Sequence, residues 1–181
     1  MRNDFDGLRF LVIEDNAHIR RLIRTLINGF GSREVKEAED GAEGLEAYNN
    51  YSPDVIITDW RMPIFDGLEL TQMIRQPGNS NPFVPIIMLT GHSERKHVTA
   101  ARDAGVNEFL AKPFSAQALY QRIVNCAAYP RPFVKCPSYF GPDRHRNVNP
   151  NYVGPERRTG GGKVEIIPQR ALLKAAKIVG R

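Results

Sequence analysis

Glu14, Asp15, Asp59, Thr90 and Lys112 stand out in this 181-residue chain because each closes or follows a short apolar run. If those runs are parallel strands of one sheet, their carboxyl ends bring three carboxylates, a hydroxyl and an ammonium to one rim. Ligands of open parallel sheets bind at that rim. Three crowded carboxylates repel one another and raise each other's pKa unless a cation lies among them. A set of oxygen ligands with room for water and phosphate oxygens suits Mg²⁺. With the metal present, Asp59 stays ionised and can attack phosphorus as a carboxylate nucleophile, forming an acyl phosphate. The protein's share of such a transfer is positioning and charge neutralisation. Lys112 and Mg²⁺ would neutralise the phosphoryl oxygens, and the Thr90 hydroxyl would hydrogen-bond one of them.

The elements that must position these groups are legible in the pattern. Apolar runs at residues 9–13, 33–38, 54–58, 85–90 and 108–111 alternate with stretches of helical periodicity, which predicts βαβ units and a parallel sheet. All but the second run are largely apolar, as strands buried on both faces must be. The second carries Arg33, Lys36 and Glu37 and is expected at an edge. Asn16, Asp40, Asp66, Ser93 and Ser115 are expected N-caps of five helices. These are expected to end near Gly29, Asn50, Arg75, Gly105 and Ala127. On the first helix Ile19, Leu22, Ile23, Leu26 and Ile27 form the apolar face, and Arg20, Arg21 and Arg24 the solvated one. The fold class expected is α/β, a doubly wound five-stranded parallel sheet with five helices, over residues 1–128.

Composition bounds what else the chain can be. With 41% hydrophobic and 25% charged residues it falls among ordinary globular proteins. No apolar run approaches the roughly 20 residues that span a bilayer, and the N-terminus lacks a signal-peptide core. A cytoplasmic location with no membrane partner is expected. Cys126 and Cys136 have neither zinc-site nor disulfide-framework spacing and read as reduced thiols. The charge of +5 is uneven: residues 1–125 hold 14 Lys/Arg against 17 Asp/Glu, and residues 126–181 hold 11 against 3. A mildly acidic body therefore carries a basic tail.

Four segments resemble the response-regulator receiver family over nearly all of residues 8–127. They are Val12-Ile13-Glu14-Asp15-Asn16, Asp54 through Pro63 followed by Phe65-Asp66-Gly67, Pro85 through Thr90, and Phe109-Leu110-Ala111-Lys112-Pro113-Phe114. Each alone is weak, but four in order at strand ends are specific. The resemblance implies that Glu14, Asp15, Asp59 and the Arg61 carbonyl hold Mg²⁺. It implies that a histidine kinase or histidine phosphotransfer protein phosphorylates Asp59, and that Thr90 and Phe109 move together as a switch. It also implies a cis peptide before Pro113. Arg61 and His92, two residues beyond Asp59 and Thr90, are candidates to set phosphate lifetime. Asp66 is read as a helix cap, Trp60 as a partly buried loop anchor, and His18, His97 and His145 as surface residues.

Beyond Ala128 the periodicity stops, and residues 129–162 are crowded with turn residues that cannot sustain an element interior. Residues 129–181 are therefore expected to form an irregular tail, with a short helix over Ala171–Val179. Tyr139-Phe140-Gly141-Pro142-Asp143-Arg144 recurs as Tyr152-Val153-Gly154-Pro155-Glu156-Arg157. An aromatic, a turn and an arginine form a docking unit, so Tyr139, Arg144, Tyr152 and Arg157 are candidate partner contacts. The function expected is a phosphorylation switch acting through an unidentified downstream protein, with no enzyme activity beyond its own phosphotransfer and dephosphorylation. A DNA-binding regulator using the basic tail is the alternative; a helix-turn-helix needs two apolar-faced helices, and the tail offers one. A phosphate sink is a third reading, separated from the signal by the lifetime of phospho-Asp59.

Overall fold

The computed structural model describes residues 4–91, 95–144 and 164–172. Within them run β1 (Arg9–Ile13), α1 (Ala17–Gly29), β2 (Glu34–Ala38), α2 (Gly41–Tyr51), β3 (Val55–Asp59), α3 (Gly67–Ile74), β4 (Ile86–Thr90), α4 (Arg95–Ala104), β5 (Glu108–Ala111) and α5 (Ala116–Ala128). The five strands pair in parallel in the order β2-β1-β3-β4-β5. This is the five-stranded, five-helix architecture expected, with β2 at an edge. Strand order reverses between β1 and β3, so the rim beyond those strands is where a ligand crevice belongs.

Alternation along each strand divides the core into two layers. Phe10 and Val12, Val55 and Ile57, and Ile87 and Leu89 face one way, against Ile23 and Ile27 of α1 and Leu119 and Ile123 of α5. Leu11, Ile13, Ile56 and Ile86 face the other, against Tyr48 of α2 and Leu70 and Ile74 of α3. Burying a large aliphatic side chain contributes about 1.5–3 kcal/mol, and these strand residues are fully buried. The N-terminal turn adds a contribution the periodicity did not reveal. Phe5 is fully buried among Phe10, Phe30 and Tyr120.

The expected caps form at four of the five helices. Asn16, Asp40 and Ser115 accept from backbone N–H groups of their first turns, and Asp66 forms a reciprocal capping box with Glu69. The fifth, Ser93, lies outside the described residues. Gly105 ends α4 at φ 98, a conformation that favours glycine.

The irregular tail is corrected for part of its length. Phe133–Cys136 and Tyr139–Pro142 form an antiparallel hairpin, β6 and β7, and Glu165–Ile167 joins it as β8. The Pro and Gly density that signals irregularity falls here at strand ends and on the edge strand β7, where these residues are tolerated. The hairpin buries its apolar residues on the five-stranded domain. Phe133 meets Phe83 and Phe140 edge-on or tilted, with ring centroids 5.2 and 5.5 Å away, and Phe133 and Val134 are buried. Arg75, at the end of α3, stacks on the Phe133 ring at 5.1 Å. It donates to the carbonyls of Gly105 and Pro82 and to the Asn107 side chain. Asn107 also accepts from the Ile86 N–H, and its carbonyl accepts from Arg131. Leu172 N–H donates to the Ala127 carbonyl. The remainder of the expected C-terminal helix lies outside the described residues.

Candidate functional site

β1 and β3 end side by side at the point of strand-order reversal, β5 ends on the same rim beyond β4, and each of the three delivers one part of the site. Glu14, directly after β1, is 1% exposed, and Asp59, the last residue of β3, is 8% exposed. Asp15 lies at the surface beside them. Carboxylate oxygens of Glu14, Asp15 and Asp59 lie within 4.8 Å of one another. Lys112, just past β5, places Nζ 2.7 Å from Glu14 Oε2 and 3.0 Å from Asp59 Oδ1. The Trp60 N–H also donates to Asp59 Oδ1 at 2.8 Å. Two nearly dry carboxylates are thus held by one ammonium, and the third opens to water.

Burial pushes the Glu14 carboxyl up from its ordinary value; its hydrogen bond to Lys112 pulls it back down, and the charge of Asp59 adds to the rise. Burial of a carboxylate that a single ammonium must share with a second carboxylate is a site still short of positive charge. The all-oxygen donor set and the close spacing fit a hard divalent cation such as Mg²⁺.

The remaining residues close the rim. Thr90 ends β4 and is buried, and its carbonyl accepts from Lys112 N–H at 2.8 Å. Phe109 is half-buried and lies with Trp60 and Leu68 against Met88, Ala101 and Val106. Trp60 is therefore the partly buried loop anchor expected. The Lys112–Pro113 peptide is cis. Arg61 is exposed beside the site, and His92 lies outside the described residues. Asp66 caps α3, as expected. His18 is exposed, whereas the side chain of His97 and all of His145 are not described.

Two contributions escaped the sequence reading. Gly67 sits so close to the Asp59 carbonyl that a Cβ there would collide with it, and its N–H donates to the Trp60 carbonyl. Its place after a helix cap was the available signal. Arg20, read as part of a solvated face, donates to the Glu14 carbonyl and lies 3.8 Å from Glu39. Only the fold brings those groups to it.

The tail candidates divide. Tyr139 and Arg144 do not project outward as a free docking unit. The Tyr139 hydroxyl donates to the Pro142 carbonyl, the Arg144 guanidinium lies 4.0 Å over the Tyr139 ring, and Arg144 pairs with Asp103 of α4 at 3.3 Å. Tyr152 and Arg157 lie outside the described residues.

Comparison with known proteins agrees with this geometry. The family model for the response regulator receiver domain matches residues 10–124. The chain is similar to the chemotaxis protein CheY1 of Helicobacter pylori, at 36% identity over 117 residues, covering 64% of this chain and 94% of that protein. It is similar to the chemotaxis protein CheY of Pseudomonas aeruginosa, at 32% identity with 64% and 93% covered. Among solved structures, Vibrio cholerae CheY4 aligns with a TM-score of 0.61 and 29% identity, over 65% of this chain and 97% of that one. The receiver domain of the Pseudomonas aeruginosa sensor histidine kinase PA1611, solved with a magnesium ion in its active-site cleft, aligns with a TM-score of 0.59 and 33% identity, over 66% and 96%. With its five-stranded parallel sheet, its acidic rim and its match to the family over residues 10–124, this chain belongs to the response regulator receiver domain family of two-component signalling.

Proposed function

We propose that Asp59 accepts a phosphoryl group from the phosphohistidine of a histidine kinase or histidine phosphotransfer protein, in a Mg²⁺-dependent reaction in the cytoplasm, and that the phosphorylated chain acts by changing protein contacts. The observation that carries this reading is the Lys112 ammonium held between the buried carboxylates of Glu14 and Asp59. An Asp59 oxygen attacks phosphorus, a P–O bond forms, the P–N bond breaks, and its electron pair leaves with the imidazole nitrogen. Lys112 meets the charge on the phosphoryl oxygens, and the Thr90 hydroxyl donates to one of them. Glu14, Asp15, Asp59 and the Arg61 carbonyl would hold Mg²⁺, which supplies further charge neutralisation when bound. The exposed Arg61 side chain borders the product and, with His92, sets its lifetime against water. Phe109, packed on α4, passes the change at Thr90 outward.

The protein-contact reading is favoured over nucleic-acid binding by the use made of two of the tail's arginines, Arg131 and Arg144. Arg131 donates to the carbonyls of Asp143 and Asn107, and Arg144 pairs with Asp103, so both charges serve the chain's own fold. Among the described residues no helix is long and apolar enough to cross a membrane. The test is incubation of the full chain with acetyl phosphate and Mg²⁺. Mass spectrometry should find one phosphoryl increment, absent in Asp59→Asn and after chelation of the metal. An increment that persists on Asp59→Asn would remove Asp59 from its role.

A further inference from the structure

We infer that Arg20 is the positioning residue for Asp15: by holding the Glu14 carbonyl it fixes the peptide from which the Asp15 side chain leaves, and so tunes the acidic site toward Mg²⁺. The inference rests on Glu14, Asp15 and Asp59 being the cation's ligands and adds a residue outside that set.

The three carboxylates are held unequally. Glu14 is tied at both ends: its N–H donates to the Ala38 carbonyl of β2, and its carboxylate accepts from Lys112 at 2.7 Å and from the Asn16 N–H at 3.4 Å. Asp59 accepts from the Trp60 N–H and pairs with Lys112. Asp15 is exposed, and among the described residues no hydrogen bond or ion pair holds its carboxylate. An oxygen of that carboxylate nevertheless lies within 4.8 Å of those of Glu14 and Asp59, so the backbone decides its place. A peptide unit is planar, and the Glu14 oxygen therefore turns as one body with the Asp15 nitrogen and Cα. Arg20, fixed in the first turn of α1 by its own N–H bond to Asn16, donates to that oxygen. The other arm of the guanidinium lies 3.8 Å from Glu39, in the loop after β2. Its side chain is 16% exposed, whereas that of Arg24 on the same helix is 53% exposed, so Arg20 alone of the two is drawn in toward the site.

Charge and position predict opposite signs. A guanidinium near the site repels a divalent cation, so if charge ruled, removal of Arg20 would tighten the binding of any such ion. If position rules, removal frees the Glu14–Asp15 peptide to turn and weakens binding. Position wins here because Arg20 meets the backbone of Glu14 and not its carboxylate, and because Glu39 offsets part of its charge. Groups that orient metal ligands from behind carry roughly tenfold to a hundredfold in metal affinity. The effect also depends on the ion. Mg²⁺ demands near-ideal ligand placement, whereas Ca²⁺ accepts a flexible shell, so a loosened Asp15 is a greater loss to Mg²⁺.

The experiment titrates the full chain with MgCl₂ and, separately, with CaCl₂, read by calorimetry and by fluorescence of Trp60, the single tryptophan. Arg20→Ala should weaken Mg²⁺ about tenfold, the lower end of such effects, and Ca²⁺ distinctly less, so that the preference for Mg²⁺ falls. Arg20→Lys keeps the charge and one donor for the Glu14 carbonyl and should recover part of the loss. Arg21→Ala removes an equal charge from the exposed face and should leave both affinities in place. On an Asp15→Asn background Arg20→Ala should cost Mg²⁺ little more, because Arg20 acts through Asp15. Equal weakening for both ions would reduce Arg20 to general support of the fold, and unchanged or tighter binding would leave it only a charge; either result overturns the inference while the cation site stands. If Arg20→Ala does not fold, the ratio of the two affinities in Arg20→Lys decides in the same way. A parent chain that binds no Mg²⁺ would overturn the cation site and, with it, the role of Arg20.

Discussion

Glu14 is the residue at which the site's two demands conflict. In the proposed reaction its carboxylate helps to hold a cation, yet burial pushes its proton affinity up despite the Lys112 hydrogen bond. As pH falls, Glu14 takes a proton above the ordinary glutamate value of 4.5, so Mg²⁺ affinity should begin to weaken at a pH where an exposed glutamate would still be ionised. Stability should move the other way. A carboxyl whose pKa is raised by folding binds its proton more tightly in the folded state, so its contribution improves as pH falls through the folded value toward 4.5 and is lost at neutral pH. Titration of Mg²⁺ against Trp60 fluorescence from neutral pH down to the ordinary glutamate value of 4.5 tests the first half. A metal affinity flat across that span would place Glu14 outside the cation's ligands.

Arg75 shows the same economy at the level of elements. It is a single guanidinium that ties the end of α3 to the loop before β4, to the α4–β5 turn and to β6. Burial pushes it down to about 9, still above neutral pH, so it remains charged and its three acceptors stay satisfied. Arg75→Leu would orphan the Gly105 and Pro82 carbonyls and leave the Asn107 side-chain oxygen with the Ile86 N–H alone. An unsatisfied buried polar group costs about 1–3 kcal/mol. The variant should lose about 3 kcal/mol or more in urea unfolding, and amide exchange in β6 should rise with it. A loss below about 1 kcal/mol, no more than one ordinary hydrogen bond, would mean that water replaces the guanidinium at little cost.

For the whole molecule, the hairpin changes what truncation should do. A core complete at Ala127 predicts that residues 130–181 can be removed without harm. The structure places Phe133 and Val134 in the buried set, with Phe133 on Phe83 and Arg75. Loss of Phe133 burial alone corresponds to about 1.5–3 kcal/mol. A chain ending at Ala128 should therefore fold and accept a phosphoryl group on Asp59, because every strand of the parallel sheet is retained, but it should unfold at least about 2 kcal/mol earlier. A truncated chain as stable as the parent would show that the hairpin's burial is offset by the entropy of ordering it.

The five strands, four of the helix caps and the members of the acidic site were legible in the residues because each depends on local pattern. Alternation and apolar runs set β1 to β5, short polar side chains before helical periodicity set the caps at Asn16, Asp40, Asp66 and Ser115, and strand ends set Glu14, Asp15, Asp59, Thr90 and Lys112. What the pattern could not carry was contact between segments distant in the chain. Phe133 and Tyr139 read as tail because nothing near them in sequence is apolar enough to bury them; their partners, Phe83 and Arg75 for the first and Arg102 for the second, lie 37 or more positions earlier. Arg20 read as solvated because its acceptors, the Glu14 carbonyl and Glu39, come together only when β1 and β2 pair. Local order follows from short-range sterics and hydrogen bonding that the sequence states directly, whereas the hairpin's place on α4 depends on which buried surfaces remain uncovered once the sheet and its helices have assembled.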